Sequence, residues 1–267
     1  MNSMNMNGDQ PIGIVGGMGP EAGIALFNRI TSHTRAYRDQ EHLSVMLMSF
    51  PKYIGDRTAY LEGALEVNPA FVVAEVIGRL EHAGARVIGI ACNTCHAPGI
   101  FGYVEEELRR MNSTVRLLNM PLETCLAIRE QAPAIRRVGF MVTNGTYRSR
   151  LYEELLSEMG YEAVVPDAEF QEQVIHRIVY DPVMGVKAHP GGVTRQAKAL
   201  MEKALCYFRE RGAEAVILGC TELSLVGVKG EEGGMLVIDS MDALALALIR
   251  AATAVDYERG SKMAIID

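Results

Sequence analysis

Two stretches of this 267-residue chain place reactive side chains directly after short apolar runs. In the first, Val87, Ile88, Gly89, Ile90 and Ala91 give way to Cys92, Asn93, Thr94, Cys95 and His96. In the second, Ala215 to Leu218 and Gly219 are followed by Cys220, Thr221 and Glu222. Such an apolar run is what a strand buried on both faces of a parallel sheet needs. Open α/β sheets bind their ligands at the carboxyl ends of these strands. A thiolate is a base and a nucleophile; a thiol is an acid. Two of them on opposite sides of one carbon can remove a proton from one face and return it on the other, inverting the configuration. The α-proton of an amino acid is weakly acidic, so such a site must activate the thiol and stabilise the developing carbanion with fixed donors. Helix N-termini after both cysteines, with Asn93, Thr94 and Thr221, suit that task without pyridoxal phosphate or a metal.

Other chemistries share some of these letters. Cys92 to His96 spells C-x-x-C-H, the haem-attachment pattern, but that predicts export and a small, mostly helical domain, and neither is visible. A C-x-x-C redox couple at a strand-to-helix junction stays open as a rival. Zinc takes about four ligands, more than one C-x-x-C and scattered histidines supply. Free cysteines are among the most buried residue types, so Cys125 and Cys206, on helix-like stretches, are assigned to packing. His96 reads first as a helix-start residue and second as a base. Glu222 reads equally as a capping carboxylate or as a contact to an ammonium group.

The elements that must position these residues alternate strand and helix throughout, which predicts parallel sheets wrapped by helices. Residues 12–15 form the first strand, ending at Gly16, Gly17, Met18 and Gly19. Pro20 and Glu21 then suit the start of a helix running to about 34. GIVGGMG departs from G-x-G-x-x-G, so the loop is read as tight geometry around a small anion rather than a dinucleotide site. Further strands are expected at 43–48, 87–91 and 115–118, with helices over 68–83, 100–110 and 123–130. The pattern then restarts with a strand at 137–142 and a polar turn, Thr143 to Thr146, in the place GGMGP holds in the first half. Strands at 162–165, 215–218 and 237–238 follow, with helices at 148–159, 169–179, 193–211 and 241–254 and a loop at 181–192. Cys92 and Cys220 lie about half the chain apart. The expected fold is α/β: two pseudo-symmetric domains, each a mainly parallel sheet flanked by helices, with the active site in the cleft between them. The first domain is drawn at 11–118 plus 235–256 and carries Cys92; the second, at 119–234, carries Cys220; 1–10 and 257–267 are tails.

Composition bounds the function. The chain is 49% hydrophobic and 22% charged, which is globular. A net charge of −7 argues against a nucleic-acid partner, since phosphate binding needs a basic face. Five cysteines, an odd count, do not suit a secreted disulfide framework. The polar opening MNSMNMNGDQ is unlike a signal peptide, and no stretch approaches about 18 uninterrupted apolar residues. A cytoplasmic protein with a small-molecule partner, and neither nucleic acid nor membrane, is expected.

Taken together, IGIVGGMGPEA at 12–22, RDQEH at 38–42, DRTAY at 56–60, CNTCHA at 92–97 and GCTEL at 219–223 resemble the aspartate/glutamate racemase superfamily, and its aspartate racemase branch in particular. The resemblance covers nearly the whole chain. It implies cofactor-independent amino-acid racemisation, the two-domain fold and, commonly, a homodimer. Cys92 and Cys220 match the family's two acid/base cysteines. Arg57 matches the arginine that grips the substrate's side-chain carboxylate, and Lys187 a lysine of similar role. Asn93, Thr94, Thr143, Thr146 and Thr221 resemble the groups that hold the α-carboxylate and amino group. Bidentate pairing of a guanidinium with a carboxylate is what selection for acidic substrates requires. The chain departs from the pattern at Cys95, where relatives usually carry alanine, and at SFPK, 49–52, in place of an asparagine-containing stretch. The presence of both cysteines argues against the decarboxylase branch. The expected function is interconversion of L- and D-aspartate, with glutamate as a second substrate. The rivals are a hydantoin racemase or maleate isomerase activity, a non-catalytic binder of acidic amino acids, and a cysteine-based redox sensor.

Overall fold

The computed structural model describes residues 9–228 and 230–254. Of the expected tails, 1–8 and 257–267 lie outside the described residues. Gln10 is tied down, its backbone N–H donating to Ala252 O at 2.9 Å.

The first sheet contains β1 (Ile12–Gly16), β2 (Val45–Ser49), β3 (Val87–Ile90) and β4 (Arg116–Leu118). Its order is β2-β1-β3-β4, with every pair parallel. The crossovers are helical: α1 (Pro20–His33), the short α2 (Arg57–Leu61), α3 (Ala70–His82) and α4 (Pro98–Arg110). Pro20 at the first turn of α1 and Pro98 at that of α4 cost no hydrogen bond, because those N–H groups have no partner within the helix. The segment that includes α2 reads as a loop in the sequence. One helical turn forms there because Asp56 caps it, Oδ1 accepting from Ala59 N at 2.9 Å.

After α5 (Met120–Gln131) the second sheet begins with β5 (Arg137–Met141), the short α6 (Asn144–Arg148), α7 (Leu151–Glu158) and β6 (Glu162–Val164). A continuous helical segment follows: α8 (Ala168–Phe170), a π-helical stretch Gln171–His176, and α9 (Arg177–Tyr180). The chain closes with α10 (Arg195–Glu210), β7 (Ala215–Leu218), α11 (Thr221–Ser224), β8 (Gly230–Glu232), β9 (Met235–Asp239) and α12 (Ser240–Thr253). The order is β6-β5-β7-β9-β8, parallel except for the β8–β9 hairpin, whose turn uses Gly233 and Gly234 at positive φ. The first four strands of this order repeat the arrangement of the first sheet, strand for strand. Both halves are therefore the same parallel α/β design.

β9 begins at the domain boundary drawn at 235 and lies wholly in the segment drawn with the first domain. It pairs with β7 in the second sheet, whereas α12 packs its apolar face into a core with β1, β3 and α1 of the first. The strand is apolar on both faces, which sequence reads as a buried strand without saying beside which neighbour.

In each sheet the order turns between the first and third strands: β1 and β3 in one, β5 and β7 in the other. That switch point leaves a crevice beyond the strand ends. Residues 16–19 and Cys92 flank the first crevice; residues 143–146 and Cys220 flank the second.

Candidate active site

Cys92 leaves β3 extended, with φ −163° and ψ 112°, and starts the single 3-10 turn Asn93–His96. Cys220 leaves β7 in the same way, with φ −143° and ψ 133°, and starts α11. Both are nearly closed off from solvent, 5% and 6% exposed. His96 fixes the first turn. A backbone N–H can only donate, so Nε2 accepts from Met120 N at 3.3 Å and Nδ1–H donates to Cys92 O at 2.9 Å. Burial lowers the pKa of the ring to about 4, against hydrogen bonds that oppose it. A neutral imidazole with both nitrogens occupied is a brace rather than a base. Cys95 is fully buried in the core beneath the first site, and burial, then neighbouring Cys92, pushes its thiol up. Cys125 is packed likewise, its thiol pushed up to about 12 by burial, whereas Cys206 is only half-buried.

Cys220 is paired with Glu222. The thiol donates to Oε2 at 3.1 Å, and Thr221 Oγ1 donates to the same oxygen at 2.9 Å. The other oxygen accepts from Gly19 N at 3.3 Å, across the cleft, and lies 4.0 Å from Lys187 Nζ. Burial and then the Glu222 charge drive the Cys220 thiol well above its ordinary value, with Lys187 opposing.

Two cations occupy the cleft. Arg57, on α2, is 5% exposed. Its Nη1 donates to Gly55 O and its Nη2 to Met18 O, both at 3.0 Å, while Nε is buried without a partner. Burial works against its charge, but Cys92, Tyr180 and Asp56 outweigh it and raise the guanidinium pKa. Lys187 comes from the opposite half. Its Nζ donates to the Tyr180 hydroxyl at 2.9 Å, and that hydroxyl donates to Asp56 Oδ2 at 2.9 Å, joining the two halves. Burial opposes the ammonium, and Glu222 and Tyr180 more than restore it, so the Lys187 pKa is raised.

The threonines meet between the halves. Thr94 Oγ1 lies 3.0 Å from Thr143 Oγ1 and accepts from Thr146 Oγ1 at 3.0 Å. Thr58, on α2, donates to Thr143 at 3.5 Å. All four are buried, and their hydroxyls bond largely to one another, so they form a compact set of rotatable donors and acceptors at helix starts. Asn93 is differently placed. Its Oδ1 accepts from the Tyr152 hydroxyl at 2.6 Å and its Nδ2 donates to Ser240 Oγ at 3.0 Å, so the side chain is already occupied in joining the halves.

A cavity of ≈ 440 Å³ opens beside these groups, walled by Gly17 to Ala22, Ile54, Asp56, Arg57, Val186, Lys187, Pro190 and Glu222. Neither cysteine nor the threonines border it. Glu222 is the link, lining the cavity with one oxygen and bonding Cys220 with the other. Asp56, Thr58, Tyr152, Tyr180 and Ser240 were not singled out in the sequence. Asp56 precedes Arg57 in DRTAY and carries a readable capping signal; the others have none. Among the described residues, no group of three or more His, Cys, Asp or Glu side chains is arranged to hold a metal, and no helix is long and apolar enough to cross a membrane.

The profile of the Asp/Glu/hydantoin racemase family matches residues 15–248. Glutamate racemase of Pseudomonas aeruginosa (strain UCBPP-PA14) is 30% identical over 179 residues, covering 64% of this chain. The chain spans 59% of that relative's length. Among solved structures, Picrophilus torridus aspartate racemase superposes with a TM-score of 0.74 at 30% identity, covering 91% of this chain and 94% of its own. An aspartate racemase homologue from Pyrococcus horikoshii gives 0.69 at 26% identity, covering 91% and 99%. Glutamate racemase from Francisella tularensis, at 15% identity and a TM-score of 0.55 over 91% and 81%, shares the fold. The chain belongs to the Asp/Glu/hydantoin racemase family, and its solved neighbours place it on the aspartate racemase branch.

Proposed function

We propose that this protein interconverts L- and D-aspartate, with glutamate as a second substrate, using Cys92 and Cys220 as the two acid/base groups and no pyridoxal phosphate. The observation that carries the reading is the matched placement of two buried cysteines, each at the end of the third strand of an identically ordered sheet, beside a cavity with two cations. One thiolate takes the α-proton while the opposite thiol delivers its own, and the roles exchange for the reverse direction. Arg57 and Lys187 receive the substrate's side-chain carboxylate; Thr94, Thr143, Thr146 and Thr58 receive the α-carboxylate, together with the N–H groups of the turns they start. Thr221 acts through Glu222, and Asn93 through its backbone N–H, its side chain being occupied. The carbanionic transition state gains most from donors fixed before the reaction, and the buried hydroxyl cluster is such a set. The reading further places the enzyme in the cytoplasm, in keeping with five unpaired cysteines, and takes it as a homodimer from the family resemblance alone.

Incubation with L-aspartate in D₂O tests the reading. Loss of the α-proton NMR signal, with optical rotation decaying to zero, is the expected result. Binding without exchange would instead make the protein an acidic amino-acid receptor.

A further inference from the structure

Glu222 serves two surfaces at once. Through Oε1 it faces the cavity and Lys187, 4.0 Å away; through Oε2 it takes the Cys220 hydrogen at 3.1 Å. Only 6% exposed, the carboxylate is held by Gly19 N–H from one half of the molecule and by Thr221 from the other. Cys92 has a different charged neighbour, the Arg57 guanidinium, which it reinforces.

We propose that Glu222 is a positioning residue that makes the two cysteines unequal, holding Cys220 as the protonated thiol, the acid of the pair before substrate arrives. This rests on the two-cysteine reading above and adds to it which sulfur holds the proton before substrate arrives. The physical reason is charge. Ionising Cys220 would set a thiolate 3.1 Å from a carboxylate in a site shut off from water, where like charges repel most strongly. The ionisable groups that face Cys220 are Glu222 from α11, Lys187 from the 186–188 turn and Tyr152 from α7. Tyr152 is held neutral by burial, so the balance lies between Glu222, which holds the proton on, and Lys187, which counters it.

The proton count follows. The enantiomer that points its α-hydrogen at Cys92 draws on the proton that Glu222 holds on Cys220: Cys92, as its thiolate, gains the α-proton and Cys220 gives its own to the opposite face. The other enantiomer requires the reverse distribution, which the enzyme reaches by the turnover itself or by proton exchange with solvent. Because the two enantiomers have equal free energy, kcat/KM is the same in both directions, and the asymmetry must appear in kcat and KM separately.

Alkylation by iodoacetamide, followed at each cysteine by peptide mass spectrometry, reads the thiolate fraction, with Cys92 as internal reference. Glu222→Gln keeps an acceptor of the same size and removes the charge; Lys187→Gln removes the opposing charge. The Cys220/Cys92 rate ratio should rise at least about threefold in Glu222→Gln and fall at least about threefold in Lys187→Gln, where one pKa unit is about tenfold. An unchanged ratio in Glu222→Gln, or the same direction of change in both variants, overturns the proposal. In Glu222→Gln the ratio of kcat for L- to kcat for D-aspartate should also shift at least about threefold. If alkylation moves as expected in a protein that racemises no aspartate, the functional reading falls while the hold of Glu222 on Cys220 stands.

Discussion

Cys92 and Cys220 occupy equivalent positions in two copies of one design, yet their surroundings differ. One has a guanidinium for a neighbour and the other a carboxylate. Serine at either position keeps the shape but is a far weaker acid and base. Each of Cys92→Ser and Cys220→Ser should lower kcat about 10²- to 10⁴-fold, with an unchanged circular dichroism spectrum. Comparable activity in either variant would end the two-base assignment. Arg57 is buried with two carbonyl partners and a free Nε, so it is fixed in place before any ligand enters. Arg57→Ala should cost about 2–4 kcal/mol of kcat/KM for aspartate, roughly 30- to 1,000-fold. Turnover of alanine, which has no side-chain carboxylate, should change little.

At the scale of elements, the turn after β3 is set by His96, which bridges Cys92 O to the start of α5. Its folded pKa of about 4 lies below the ordinary value of 6.5. The unfolded chain therefore binds a proton that the folded chain refuses between those values. Stability is complete above about 6.5 and falls as pH drops toward about 4, by about 3 kcal/mol from this residue alone. Urea midpoints across that range should fall less steeply in His96→Gln than in the parent; parallel slopes would show that the ring is not the titrating group. The same brace occupies both ring nitrogens, which leaves His96 none to act as a base toward Cys92. Within the C-x-x-C-H letters, Cys95 packs into the core and His96 braces the backbone, which leaves Cys92 at the candidate site.

At the scale of the molecule, β9 completes the second sheet while α12, immediately after it, completes the core of the first. The first half does not close its core without α12, which follows the second half in the chain, whereas the cores of the second half come from one contiguous stretch. The Asp56–Tyr180 and Asn93–Tyr152 hydrogen bonds and the threonine cluster add polar contacts across the cleft. Unfolding should therefore be one transition, with far-ultraviolet circular dichroism and tyrosine fluorescence coinciding in urea. A separate early transition in one probe would mean that the halves unfold independently. A fragment ending at 118 should fail to fold, since it lacks α12.

Much of this was legible in the chain itself. Alternation of apolar strands and amphipathic helices fixes a parallel α/β design, because each buried strand needs cover on both faces. The polar residues after β3 and β7 announce a site, because strand ends are where such sheets meet solvent. Cys92, Cys220, Arg57 and Lys187 could be named from those local signals and the family's motifs. Local signals carry no information about partners distant in sequence. That Tyr180 reaches Asp56, that Thr58 joins the threonines, that Asn93 is already occupied and that β9 pairs across the expected boundary all depend on how the two sheets face each other. Tertiary packing decided those, and with them the contacts of Glu222 with Gly19 and Lys187, whereas its contact with Cys220, two residues away, is local.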